Sequence, residues 1–141
     1  MAEQDFNSRV IEEFRANGGK VGGMFEGAPM LLLHHTGAKS GRERVTPLVY
    51  LDDDGRYVIF ASKAGAPTNP AWYHNLVAHP QTSIEIGAQT LPVAADEVTG
   101  EARQRLFDIQ AQRHPGFADY QKKAGDRVIP LLALTATGEA R

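Results

Sequence analysis

Residues 30–62 read MLLLHHTGAKSGRERVTPLVYLDDDGRYVIFAS, and the patterning of this stretch decides the fold. Met30 to His35 is an apolar run and Arg44 to Leu51 is rich in valine, while the polar segment Thr36-Gly37-Ala38-Lys39-Ser40-Gly41-Arg42-Glu43 between them reads as a hairpin turn. Asp52-Asp53-Asp54-Gly55 makes a second turn, because Asp-Gly suits the positive φ angles of the primed hairpin geometries, and Arg56 to Ser62 returns as a third strand. The expected unit is a three-stranded antiparallel meander.

Toward the C-terminus, Asn69-Pro70 reads as N-cap and first helical residue of a short helix that runs to Ala78 and stops at His79-Pro80. Its inward pair is either Trp72 with Leu76 or Tyr73 with Val77. Gln81 to Ile86 and Thr90 to Ala95 flank Gly87-Ala88-Gln89 as a second hairpin. Thr99 then caps a helix from Gly100 to His114 with an apolar stripe of Leu106, Phe107 and Ile109. A helical turn around Ala118 to Lys123 precedes a last strand from Val128 to Thr137, where Pro130 fits a strand start or an edge. Toward the N-terminus, Phe6, Val10, Ile11 and Phe14 keep helical spacing up to the stop signal Asn17-Gly18-Gly19. Residues 16–29 are glycine-rich around Met24 and Phe25, which suits either an ordered linker or a mobile lid over a ligand. The order is α-βββ-α-ββ-α-β. It predicts an α+β fold on a mostly antiparallel sheet of about six strands, closed as a small barrel with flanking helices. Residues 1–29 are expected to belong to the same domain as the barrel of residues 30–141.

The chain has 141 residues, 42% hydrophobic and 23% charged, with a net charge of −2, the composition of one soluble domain. It has no cysteine, which excludes disulfides, thiolate catalysis and cysteine-held metals and points to a cytoplasmic setting. The slightly acidic balance gives no case for nucleic-acid binding. No apolar run is long enough to span a bilayer, so at most the amphipathic N-terminal helix would touch a membrane from outside. His34 and His35 are adjacent on a strand and point to opposite faces, so no metal site is expected there.

Chemistry concentrates in two places. The Gly37–Gly41 turn is neither G-x-S-x-G nor a Walker loop, yet two glycines in a tight turn can aim successive N–H groups at one point. Lys39, Arg42 and Arg44 surround it with positive charge, so it reads either as a cradle for phosphate or carboxylate or as a solvated hairpin loop. The second place is Ser62-Lys63-Ala64-Gly65-Ala66-Pro67, followed by Asn69-Pro70-Ala71-Trp72-Tyr73. A strand end and a helix N-terminus there favour an anion beside two large rings, unless Trp72 and Tyr73 pack the helix onto the sheet. No carboxylate pair or Ser/His/Asp set suggests hydrolysis.

With these stretches in view, the sequence resembles the deazaflavin-dependent nitroreductase family, split β-barrel proteins that use coenzyme F420, an 8-hydroxy-5-deazaflavin. The matching segments are Thr36 to Leu48, Ala61-Ser62-Lys63, Asn69 to Leu76, and Asp119-Tyr120-Gln121 with Asp126 to Pro130. The resemblance implies an oxidoreductase that passes a hydride from reduced F420 to a quinone, nitroaromatic or other activated small-molecule acceptor. It implies that Lys39, Ser40 and Arg44 hold the cofactor's phosphate and acidic tail, and that Pro47, Leu48, Ser62, Lys63, Trp72 and Tyr73 line the deazaflavin. Ala38, Gly41, Val45, Thr46 and Val49 of the matched turn and strand, with Ala61, Asn69 and Pro70, complete the expected cofactor site. Tyr120 matches the family's active-site tyrosine, and Ser62 is the second candidate for that role. The chain departs from the pattern at Ala38, where many relatives carry Arg. Related split barrels that use FMN, as flavin reductases do, keep FMN open as the alternative cofactor, and a non-catalytic deazaflavin carrier as the alternative function. Barrels of this kind often pair, which leaves a homodimer open.

Overall fold

The computed structural model describes residues 2–22, 29–61, 69–113, 119, 121–123 and 128–140, with residues 2–6 described by their backbone alone. The element order is α1 (Ala2–Ala16), β1 (Met30–Thr36), β2 (Glu43–Asp53), β3 (Arg56–Phe60), α2 (Ala71–Ala78), β4 (Gln81–Ile86), β5 (Gln89–Val98), α3 (Gly100–Arg113) and β6 (Leu131–Ala136). The six strands close a barrel in the order β1-β2-β3-β6-β5-β4, every pair antiparallel.

The apolar runs explain which strands carry helices. Along β1, Leu31 and Leu33 point into the barrel with Ile59, Ile84, Val93, Leu132 and Leu134. Met30 and Leu32 point outward and meet Val10 and Phe14 of α1. A strand covered on both sides loses the polar alternation of a half-exposed one, which is why residues 30–33 are uniformly apolar. The same holds on β3 and β6, whose outward Val58, Phe60, Leu131 and Ala133 pack under Leu106 and Phe107 of α3. Strand β4 alternates instead, with Ile84 buried and Glu85 turned outward to Arg15 of α1.

The tight turns follow their residues. Asp54 and Gly55 both have positive φ, 54° and 89°, as a type I′ hairpin requires, and the Gly55 N–H donates to Asp52 Oδ1 at 3.0 Å. Gly37 and Gly41 close the β1–β2 turn: the Gly37 N–H donates to the Arg42 carbonyl and the Gly41 N–H to the Gly37 carbonyl, each at 2.9 Å.

Several boundaries differ from the sequence expectation. Asn69 is not the cap of α2; Pro70 takes that place in extended geometry with φ −68° and ψ 155°, without a side-chain cap bond. Its carbonyl accepts the Tyr73 N–H instead, and Ala71 starts the helix. Strand β3 ends at Phe60, and β6 starts at Leu131 immediately after Pro130, which lacks the N–H a ladder needs. β6 is flanked by β3 and β5, so Pro130 marks a strand start and not an edge. The helical turn is described at Asp119 and at residues 121–123, and Met24 and Phe25 lie outside the described residues.

Candidate functional site

The turn between β1 and β2 is built from inside the barrel. His35 lies on the inward face of β1, 3% exposed, and its Nε2 is 2.9 Å from Thr46 Oγ1 on β2. On its other side Asn75 Nδ2 of α2 donates to His35 Nδ1 at 2.9 Å, and Asn75 Oδ1 accepts the Ala38 N–H at 2.9 Å. One assignment satisfies all three contacts: an amide nitrogen can only donate, so Nδ1 accepts and Nε2–H donates to Thr46. Burial, reinforced by the nearby Arg44 and His34 charges, lowers the His35 pKa to about 4, so the ring stays neutral in this arrangement. The chain of contacts from Thr46 through His35 and Asn75 to Ala38 fixes the turn against α2.

What the turn presents is positive. Lys39, Ser40, Arg42 and Arg44 are exposed. Among the described residues none of Lys39, Arg42 and Arg44 has a carboxylate within ion-pair distance, whereas Arg15, Arg56 and Arg105 do. Ser40 Oγ accepts the Arg42 N–H at 3.2 Å, and the N–H groups of Lys39 and Ser40 have no hydrogen-bond partner among the described residues. Solvated cations and open N–H groups around a turn held by buried contacts suit an anion that bears several oxygens.

The other expected site residues divide between surfaces. Thr46 and Leu48 share the inward face of β2, Leu48 against the barrel core. Val45 and Val49 pack beside α1, with Pro47 half-buried between them on the same face. Ala61 is fully buried in the barrel core, Pro70 is buried and Asn69 is half-buried. Trp72 is 6% exposed and, with Leu76, plugs the barrel core, so the packing alternative for this ring is the one realised. Val77 is 58% exposed, which removes the Tyr73–Val77 pair. Tyr73 is half-buried and its hydroxyl donates to Glu97 Oε1 at 2.7 Å, which pushes the phenol pKa up to about 12. Ser62, Lys63 and Tyr120 lie outside the described residues.

The sequence reading assigns no supporting role to His35 or Asn75. Their signal was there: His35 continues the inward alternation of Leu31 and Leu33, and Asn75 sits beside Leu76 and one turn from Trp72 on the inward face of a short helix. His34 points the other way, its ring between Glu43 Oε1 at 2.6 Å and Glu85 Oε2 at 2.8 Å. Among the described residues no group of three His, Asp or Glu is arranged to hold a metal ion.

A cavity of about 720 Å³ opens at the other end of β1, where Val21, Pro29, Met30, Tyr50 and Ile86 surround it. Six residue steps along the strand separate Met30 from Thr36, about 20 Å. Burial raises the pKa of Tyr50, whose ring meets Tyr57 edge-on at 5.2 Å.

Comparison with known proteins gives this arrangement a context. The F420H(2)-dependent quinone reductase family matches residues 7–136. An F420H(2)-dependent quinone reductase of Mycobacterium tuberculosis is 39% identical over 126 residues, covering 86% of this chain and 84% of that protein. Among solved structures, an F420-H2 dependent reductase, FDR-A, superimposes with a TM-score of 0.68 at 39% identity, over 75% of this chain and 93% of the other. A structure described as a domain-swapped dimer aligns with a TM-score of 0.69 at 36% identity, over 94% of this chain and 95% of its own. A match that runs from α1 to the last strand, on the same barrel, shows that the chain belongs to the F420H(2)-dependent quinone reductase family.

Proposed function

We propose that this protein catalyses hydride transfer from reduced F420 to a quinone and that the β1–β2 turn holds the cofactor's phosphate and acidic tail. The observation that carries the placement is the set of three exposed cations, Lys39, Arg42 and Arg44, left without carboxylate partners around a turn fixed from the barrel interior. The residues fit the group: an anionic tail supplies the charge and acceptor oxygens that the turn lacks. When bound, the reduced deazaflavin supplies the hydride, which is why the protein needs neither a nucleophile nor a metal. The chain's own part is to bind, to orient and to exclude water. Lys39 and Arg44 supply charge-assisted hydrogen bonds, the Lys39 and Ser40 N–H groups add neutral ones, and the contacts through Asn75 keep these donors in place before binding. Tyr120 and Ser62 are proposed to touch the acceptor, Tyr120 as a hydrogen-bond or proton donor where negative charge develops. Lys63 and Tyr73 are proposed to line the deazaflavin. Trp72 acts by filling the barrel core.

The test is titration of the purified protein with oxidised F420, read by the cofactor's own fluorescence anisotropy. Replacing Lys39 or Arg44 with Ala is expected to cost about 1.5–3 kcal/mol of binding each, roughly a ten- to hundredfold loss. Unchanged affinity in both variants rejects the placement. Steady-state oxidation of reduced F420 by a soluble quinone tests the reaction itself, and no turnover with a bound cofactor identifies a carrier.

A further inference from the structure

The turn that carries Lys39, Arg42 and Arg44 also carries a carboxylate, Glu43, the first residue of β2. Its charge opposes anion binding, yet its side chain reaches across the hairpin to His34 and not toward its basic neighbours: Glu43 Oε1 is 2.6 Å from His34 Nδ1. The opposite ring nitrogen, Nε2, is 2.8 Å from Glu85 Oε2 of β4. A ring with a carboxylate oxygen at each nitrogen donates at both only as the imidazolium. The two carboxylates are not equivalent. Glu85 is also gripped by Arg15 of α1, at 3.0 Å from Nε and 2.7 Å from Nη2, so it keeps a cation whatever His34 does. Glu43 is 68% exposed, and His34 is its ion-pair partner among the described residues.

We propose that His34 is a positioning residue for anion binding, an imidazolium that draws the Glu43 carboxylate away from the turn and leaves Lys39, Arg42 and Arg44 to the ligand. The inference rests on the reading of that turn as the site of the cofactor's tail. The charged and titratable groups around His34 are Glu43 from β2, Glu85 from β4, Arg15 from α1 and, behind it on β1, the neutral His35. When His34 loses its proton, one ring nitrogen turns a lone pair toward a carboxylate. Glu43, without a second cation and mostly in solvent, is the side chain that is released. It then sets a negative charge beside the ligand or pairs with a basic neighbour. Anion affinity is therefore higher when His34 is charged and falls as pH rises.

The experiment measures oxidised F420 affinity at a lower and a higher pH, about 6 and about 8. It compares the unsubstituted chain with His34→Gln, Glu43→Gln and the double variant. The ligand's own titration cancels in the ratio of two chains' affinities at one pH. The unsubstituted chain is expected to bind about two- to fivefold more tightly than His34→Gln at the lower pH, the scale of an exposed ion pair, and the ratio falls toward one as pH rises. Glu43→Gln binds at least as tightly as the unsubstituted chain at both values, and the double variant follows Glu43→Gln. Equal binding by His34→Gln at the lower pH overturns the proposal. So does a loss that persists in the double variant, because His34 then acts through Glu85 and α1. Should His34→Gln fail to fold, Glu43→Gln decides alone, and weaker binding by it overturns the proposal. Lys39→Ala is the control: unchanged affinity there overturns the reading of the turn, whereas a loss there with no effect of His34→Gln overturns only the role of His34.

Discussion

At the scale of the residue, two adjacent histidines divide the work of one turn. His34 meets carboxylates outside the barrel, and His35 is sealed inside it between Asn75 and Thr46. The inner ring makes stability depend on pH with a definite sign. Its pKa is lowered from 6.5 to about 4 on folding, mainly by desolvation, so between these values the unfolded chain binds more protons than the folded one. The neutral ring's contribution is complete above the unfolded value, is lost as pH falls from about 6.5 to 4, and amounts to roughly 3 kcal/mol. Urea unfolding across that range is expected to show a falling midpoint that is absent in His35→Leu. A parallel fall in the variant would trace the loss to carboxylates instead. Legibility at this scale was uneven. The positive charge of Lys39, Arg42 and Arg44 beside two glycines was readable without knowledge of the fold, while Asn75 gains its contact with Ala38 only from a turn that lies 37 residues away in sequence.

At the scale of the element, the hairpin turns were readable because their residues dictate backbone geometry, and the caps were less so because neighbours compete for them. Asp54-Gly55 has the positive φ angles its sequence demands, but Asn69 yields the α2 cap position to Pro70. The glycines after α1 sharpen the distinction between what a backbone needs and what a neighbour allows. Gly18 and Gly19 both have positive φ, 64° and 102°, yet a Cβ on Gly18 meets nothing within 4 Å, while one on Gly19 comes to 2.8 Å from the Cα of Gly87 in the β4–β5 turn. Gly18→Ala is expected to cost about 1 kcal/mol, the left-handed penalty alone. Gly19→Ala is expected to cost about 2–4 kcal/mol, because two backbones must also separate. Denaturant titration of both variants checks this, and equal losses would show that the contact yields freely.

At the scale of the whole molecule, α1 and α3 clasp opposite groups of strands. Val10 and Phe14 of α1 cover β1, and the Arg15–Glu85 pair fastens the end of this helix to the barrel. No helix among the described residues is long and apolar enough to cross a bilayer. On the other side Arg103 of α3 is buried, donates to the Ile129 carbonyl from Nε at 3.2 Å and from Nη2 at 3.0 Å, and lies 4.5 Å over the Phe107 ring. It also bonds Gln121 Oε1 at 3.0 Å, which accepts the Ile129 N–H as well, so one guanidinium ties α3 to the segments on both sides of residues 124–127.

The sequence by itself determined the order of the elements, the antiparallel meander, the barrel class and the basic turn, since each follows from local rules of apolar spacing, turn chemistry and charge. The tertiary structure decided which faces those residues serve. Trp72, equally suited to stacking on a ligand and to packing a helix, is a core residue because α2 lies across the barrel's interior. Glu43, an acid within a basic turn, is drawn aside because strand pairing brings His34 next to it. Local patterns set the backbone's path, but the partner of a side chain is set by residues distant along the chain, and those are named only when the barrel closes.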